Sequence, residues 1–321
     1  MASETHSHNH PNRAPAQQVQ TRYPQGNLAA CLLPWTPQFN LDVDAFQRHV
    51  QQAIAHGYTK LYIMGTAGEG YALSDAQFSE AATLFAELTR KPGLDPQVGV
   101  ISLSMSQIIH RIGFCRDLGI RMFQISLPSW GALSDDEVML FFEAVCGAYP
   151  DCQFLHYNLP RVKRVLSGAD YRRIIDRVPN LVATKNSTSD YSRVADLMAK
   201  VPELQHFFLE NGFAFGCLWG ECSLLCSFDA LFPDTTRRFY EAGINRDWPE
   251  LWKLHKQLNE IEPLFFSHVS GEHIDGSFDK AIAWLVDERF SPRLLPPYIG
   301  LSQDELVRLR SIYETQCRHL S

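Results

Sequence analysis

From Leu28 onward the chain alternates short apolar runs with longer stretches whose apolar residues recur every three or four positions. The runs are Leu28 to Leu33, Lys60 to Met64, Val98 to Ser102, Met122 to Leu127, Gln153 to Tyr157, Leu181 to Thr184, His206 to Leu209 and Cys222 to Ser227. Each has strand length and is bounded by Gly, Pro, Asn or charge. Between them, Asp44 to Ala55, Asp75 to Thr89, Ser106 to Leu118, Asp135 to Ala148, Tyr171 to Arg177 and Tyr191 to Val201 have the spacing of amphipathic helices. A strand followed by a helix, recurring every ~25 to 35 residues, predicts an α/β fold, either an open doubly wound sheet or a closed barrel. The count of eight favours the (β/α)8 TIM barrel. The weakest joint is the seventh connection, around Phe213 to Trp219, which is short.

After Pro233 the pattern becomes helix only: Thr235 to Ala242, Trp248 to Glu262, Phe278 to Val286 and Gln303 to Tyr313. No Gly/Ser linker precedes this C-terminal helical extension, so it is expected to pack on the barrel. Residues 1–26 are polar, contain proline and lack a period, and read as a disordered tail. The expected division is a tail at 1–26, a barrel at 27–233 and C-terminal helices at 234–321. His6, His8 and His10 alternate in the tail, but a tail without structure fixes no metal geometry.

Composition narrows the function classes. Of 321 residues 45% are hydrophobic and 20% charged, as in a globular protein with a sizeable core. A net charge of -7, with no long Lys/Arg run, gives no attraction for phosphate backbones or anionic lipid. Neither nucleic acid nor membrane is expected as a partner. No apolar stretch reaches the ~18 residues of a membrane span, and the first residues resemble no signal or transit peptide, so a cytoplasmic protein is expected. The eight cysteines lack the paired spacing of a zinc site and read as buried, reduced small hydrophobes. No metal or other cofactor is expected.

In a (β/α)8 barrel the chemistry sits where strands end at their C-terminal side. Strand two is followed by Gly65-Thr66-Ala67-Gly68-Glu69-Gly70, strand five by Tyr157-Asn158-Leu159-Pro160, and strand six by Lys185-Asn186-Ser187-Thr188. Tyr157 and Lys185 are 28 residues apart, one βαβ unit, which puts a phenol beside an amine on neighbouring strands. A lysine closing an apolar strand is desolvated, which lowers its pKa and frees the amine to attack a ketone. The resulting carbinolamine has to lose water and the imine has to become an enamine, so a proton shuttle is needed within reach, and Tyr157 fits. The glycine-rich turn lets backbone N–H groups approach an anion such as the carboxylate of a 2-oxo acid. Taken singly, each feature has an ordinary structural explanation; their joint placement on three strand ends carries the argument.

At these residues the chain resembles the dihydrodipicolinate synthase / N-acetylneuraminate lyase family of class I aldolases. Thr36-Pro37 with Phe39 and Asp44, the Gly65 to Glu69 loop, Tyr157-Asn158-x-Pro160 and Thr184-Lys185-x-Ser187 are similar to its motifs in order and spacing. The resemblance implies a Schiff base between Lys185 and pyruvate or a related 2-oxo acid, proton transfer by Tyr157 assisted by Thr66, an aldehyde as second reactant, and a homodimer or homotetramer. It points to Gly65, Ala67, Gly68, Trp130, Arg161 and Glu210 as the substrate-binding set. Three positions depart from it. Ala67 stands where a hydroxyl residue usually meets the carboxylate. Trp130 replaces the tyrosine with which true synthases complete a proton relay, and an indole N–H cannot pass a proton on. Arg161 is followed by Val162, whereas the synthase has its arginine two residues after the proline, and Arg161 or Arg164 would have to substitute.

The sequence therefore predicts carbon–carbon or carbon–oxygen lyase chemistry, with a true dihydrodipicolinate synthase, or a non-catalytic binding protein on a degenerate aldolase barrel, as alternatives. A metal-dependent aldolase would need His and carboxylate ligands at the strand ends. His156 and His206 fall inside strands instead and read as core residues.

Overall fold

The computed structural model describes residues 20–320. Eight parallel strands form one sheet in chain order: β1 (Leu28–Ala30), β2 (Lys60–Ile63), β3 (Asp95–Gly99), β4 (Met122–Ile125), β5 (Gln153–Asn158), β6 (Leu181–Asn186), β7 (Gln205–Phe208) and β8 (Ser223–Leu224). A parallel bridge from Asn27 to Leu224 brings β8 back to β1, and Leu224 N donates to Gly26 O at 3.1 Å. The result is the nearly closed (β/α)8 barrel that the count of eight predicts.

Helices follow each strand: α1 (Val43–Ala55), α2 (Asp75–Leu88), α3 (Met105–Asp117), α4 (Asp135–Gly147), α5 (Gly168–Ile175), α6 (Tyr191–Lys200), α7 (Glu210–Gly216) and α8 (Pro233–Ile244). Several start at serine caps with a reciprocal partner three residues on. Ser74 with Gln77, Ser134 with Glu137 and Ser167 with Asp170 each satisfy two N-terminal donors, at about 1 kcal/mol per cap. The short seventh connection contains the 7-residue α7, so the weakest joint still carries a helix.

The third strand starts three residues earlier than the apolar pattern suggests. Asp95 N donates to Thr59 O and Lys60 pairs with Asp95, which fixes the register. The strand ends at Gly99, where the carbonyl of Met64 packs so close that a Cβ would clash with its oxygen. Met64 itself has φ of 63°, so β2 turns sharply into the glycine-rich loop.

Residues 20–26, grouped with the tail on sequence, belong to the base of the barrel. Tyr23 is buried beneath the strands and bonds Asp95; Gln97 Nε2 donates to its hydroxyl at 3.1 Å, and Lys60 Nζ lies 4.1 Å from its ring centroid. The backbone is anchored by Arg22 N donating to Glu203 O. Apolar side chains gain a dry site here that a strictly polar reading of residues 1–26 missed. The rest of that stretch, with His6, His8 and His10, lies outside the described residues.

The chain ends in α9 (Trp248–Phe266), α10 (Asp275–Val286) and α11 (Gln303–Ile312). α9 joins α7 and α8 through aromatic contacts such as Phe215 with Trp252 at 6.1 Å and Phe239 with His255 at 6.3 Å. α10 crosses the C-terminal mouth of the barrel, where a Cβ on Gly276 would lie 3.2 Å from Ala67 O. The extension thus supplies one wall of whatever happens at the strand ends.

Candidate active site

Strand alternation turns Leu155 and Tyr157 to the inside of the barrel and sends His156 outward; across the sheet, Tyr157 is in register with Lys185. Lys185 is 5% exposed and Tyr157 4%, so the predicted phenol–amine pair exists at the floor of a cavity of about 450 Å³. Lys185 Nζ donates to Tyr62 Oη at 3.0 Å and stands 4.0 Å from the Tyr157 ring centroid. Its charge meets aromatic faces and one phenol, and no carboxylate among the described residues is in salt-bridge range.

The expected lowering of the Lys185 pKa is overturned as a net effect. Burial does work to lower it, but the phenols of Tyr157 and Tyr62 and the charge of Asp279 outweigh burial, and the ammonium is held above its ordinary value. A proton acceptor close by is therefore a requirement of any attack by this amine. Tyr62 is pushed up to about 12 by burial, which the ammonium partly offsets. Tyr157 Oη lies 3.4 Å from Ser187 Oγ, and both residues line the cavity. Asn158 holds the turn: its side chain accepts from Leu166 N at 2.9 Å and donates to Leu166 O and to Asn186 Oδ1.

The glycine-rich loop forms the opposite wall. Thr66 and Ala67 line the cavity, and their N–H groups donate to no other described backbone group. Gly65 and Gly68 shape the turn without facing the cavity: a Cβ at Gly65 would meet Tyr62 at 2.7 Å, and one at Gly68 the backbone N of Met64 at 2.7 Å. Thr66 is buried, and its hydroxyl makes no hydrogen bond to Tyr157.

A profile of the Dihydrodipicolinate synthetase family matches residues 23–315. The chain belongs to that family. Among curated relatives, the 4-hydroxy-tetrahydrodipicolinate synthase of Exiguobacterium sibiricum is 23% identical over 77% of this chain and 84% of its own. The N-acetylneuraminate lyase of Citrobacter koseri is 27% identical over 61% of this chain and 66% of its own. Among solved structures, the YagE prophage protein of E. coli K12, determined in complex with pyruvate, superposes with a TM-score of 0.81 at 16% identity, covering 90% of this chain and 97% of that one. The named relatives are lyases of aldolase type, and this family member is an enzyme of that class.

Against that background the remaining predicted residues divide. Arg161 is not free to hold a substrate: it makes a bidentate pair with Asp275 on α10, at 2.7 and 2.8 Å. Arg164 is paired with Asp135 and Asp170. Trp130 is 84% exposed and lies away from the cavity, its carbonyl accepting from Lys163 Nζ. Glu210 does border the cavity, as the first residue of α7, but its carboxylate accepts from Ser227 N at 2.8 Å and from Cys226 Sγ. Burial raises the Glu210 pKa.

Sequence reasoning missed two parts of the site. Tyr62, the partner of Lys185, sits inside an apolar strand. The second part is α10, whose Asp275, Phe278 and Asp279 line the cavity. α10 is pinned by an ion pair between Lys280 and Glu69 of the glycine-rich loop, both fully buried. Glu69 also accepts from Trp35 Nε1 at 2.7 Å and Leu295 N at 2.6 Å, and Lys280 donates to Arg293 O at 2.8 Å. His156 and His206 are core residues as expected, bonded to Tyr171 and Thr184, and burial lowers them to about 3 and about 4. Among the described residues no group of three or more His, Cys, Asp or Glu is arranged to hold a metal, and no helix is long and apolar enough to cross a membrane. All eight cysteines are buried free thiols.

Proposed function

We propose that this protein is a class I aldolase or lyase that holds pyruvate or a related 2-oxo acid as a Schiff base on Lys185. The observation that carries the reading is the setting of Lys185: a buried amine at the floor of a cavity, without a carboxylate salt bridge, bonded to one phenol and stacked on another. The unused N–H groups of Thr66 and Ala67 are a seat for the carboxylate, which compensates for the missing hydroxyl at Ala67. Once Lys185 has lost its proton, its Nζ adds to the ketone carbon. Tyr157 protonates the departing carbinolamine oxygen as water leaves, and its phenolate regains a proton from water entering the cavity, which Thr66 also lines.

The second reactant is an uncharged aldehyde. Around the cavity stand Glu210, Asp229, Glu262, Asp275 and Asp279, while Arg161, the cation nearest the mouth in sequence terms, is neutralised by Asp275. Among the described residues lining the cavity no arginine and no lysine other than Lys185 stands, so an aldehyde that carries its own carboxylate finds no second cation to hold it. That argues against a true dihydrodipicolinate synthase, although several relatives bear that name. Trp130, exposed on the single chain, belongs with the expected homodimer or homotetramer, where a neighbouring copy would cover it.

Intact-protein and peptide mass spectrometry after sodium borohydride treatment with pyruvate tests the reading. A pyruvyl adduct confined to Lys185 and absent from Lys185→Ala is expected. No adduct with pyruvate or larger 2-oxo acids, on folded protein, overturns it and favours a non-catalytic barrel.

A further inference from the structure

The proposed reaction needs two proton transfers, and the geometry provides separate groups for them. Forming the imine moves protons at nitrogen and oxygen, where Tyr157 stands. Forming the enamine removes a proton from carbon C3 of the bound 2-oxo acid, a weaker acid that needs an unoccupied base. Five carboxylates border the cavity. Asp275 is held by both guanidinium nitrogens of Arg161, Glu210 accepts from Ser227 N and Cys226 Sγ, and Asp229 accepts from Ala230 N. Glu262 is exposed at the rim. Asp279 alone lies inside without a hydrogen bond or ion pair to any described residue.

Its placement is not loose. Asp279 lies between the two points at which α10 is fastened, the Asp275–Arg161 pair one turn earlier and the Lys280–Glu69 pair one residue later. The fastened helix presents a free carboxyl to the cavity that holds Lys185, close enough for each charge to shift the other's pKa.

We propose that Asp279 is the catalytic base that takes the C3 proton from the protonated Schiff base on Lys185, converting iminium to enamine. The inference rests on the Schiff-base reading above. In the step, the carboxylate oxygen gains the proton, the C3–H pair becomes the C2–C3 double bond, and the C2–N π pair returns to nitrogen. The neutral enamine then attacks the aldehyde carbon, and the reverse sequence gives cleavage. Burial raises the Asp279 pKa to about 7, with the charges of Asp275, Glu210 and Glu262 pushing the same way and Lys185 opposing. A base poised near neutrality takes and returns a proton with little bias.

Exchange of the pyruvate methyl protons in D2O, followed by proton NMR, reads this step without any aldehyde, and borohydride trapping reads imine formation separately. Asp279→Asn is expected to keep the Lys185 adduct while slowing exchange about 100-fold or more, within the usual contribution of a positioned base; Asp279→Glu should recover part of the rate. Wild-type exchange should rise with pH through about 7 and lose that limb in Asp279→Asn. Exchange at the wild-type rate in Asp279→Asn overturns the assignment. So does loss of adduct together with exchange, which would make Asp279 a support for Lys185, and so does a wild-type adduct without exchange. A wild type that forms no adduct at all rejects the Schiff-base reading itself.

Discussion

Replacing Glu69 with glutamine isolates the charge of the buried pair that fastens α10. The amide keeps an oxygen for Trp35 Nε1 and Leu295 N, so the hydrogen-bonded shape survives and the negative charge goes. Removing one partner of a buried ion pair usually costs about 3–5 kcal/mol. Here the loss is limited by a cheaper alternative. Burial, partly offset by Glu69, has lowered Lys280 to about 8 in the folded protein. Without the carboxylate the lysine sheds its proton, and the loss is what the ammonium form had gained over the amine, about 1.4 kcal/mol for each pH unit below 8. Glu69→Gln therefore costs on the order of 1 kcal/mol at pH 7, roughly 3 kcal/mol at pH 5.5 and least at pH 9. The sign follows from proton counts: below pH 8 the wild-type fold binds a proton at Lys280 that the variant fold does not, while the unfolded chains bind it equally. Urea denaturation followed by circular dichroism at the three pH values measures the difference. A cost independent of pH, or one that grows toward pH 9, refutes the reasoning; so does a Glu69→Gln/Lys280→Met double variant that retains the pH dependence.

Two further outcomes follow from the same chemistry. Tyr157→Phe keeps the ring under Lys185 and removes the hydroxyl; the borohydride-trappable adduct with pyruvate should form about 10²- to 10⁴-fold more slowly, and trapping at the wild-type rate would remove Tyr157 from the imine step. Asp229 is 6% exposed and raised to about 8, by burial first and then by the charges of Asp279 and Glu210. Between about pH 4 and pH 8 the folded protein thus holds a proton that the unfolded chain has lost, so this group makes stability fall as pH rises through that window. Asp229→Asn should raise the melting temperature over wild type by more at pH 8 than at pH 5, and an equal difference at both would refute the assignment.

The barrel was legible because eight apolar runs separated by capped amphipathic stretches leave few other solutions, and Tyr157 with Lys185 was legible because motif spacing and strand register say the same thing. Their partner Tyr62 was not. In a parallel barrel both faces of a strand are covered, so the alternation of Lys60 and Tyr62 with Leu61 and Ile63 does not say which pair faces the barrel interior. Arg161 was visible but its neutralisation was not, since Asp275 stands 114 residues away.

The largest omission, α10, has a physical cause of its own. A surface helix keeps its charges on the solvent side, so Asp275, Asp279 and Lys280 read as the polar face of a flanking helix. Once that helix crosses the barrel mouth, the same face points into a cavity and its charges have to be matched or left reactive. Lys280 is matched by Glu69 and Asp275 by Arg161. Asp279 is matched by nothing among the described residues, and holding an unpaired, half-buried carboxyl in the cavity of Lys185 costs stability that a purely structural helix would have no reason to lose. A lysine directly before the apolar run Ala281 to Val286, where it cannot reach water, was the one signal in the sequence that this helix is not a flank.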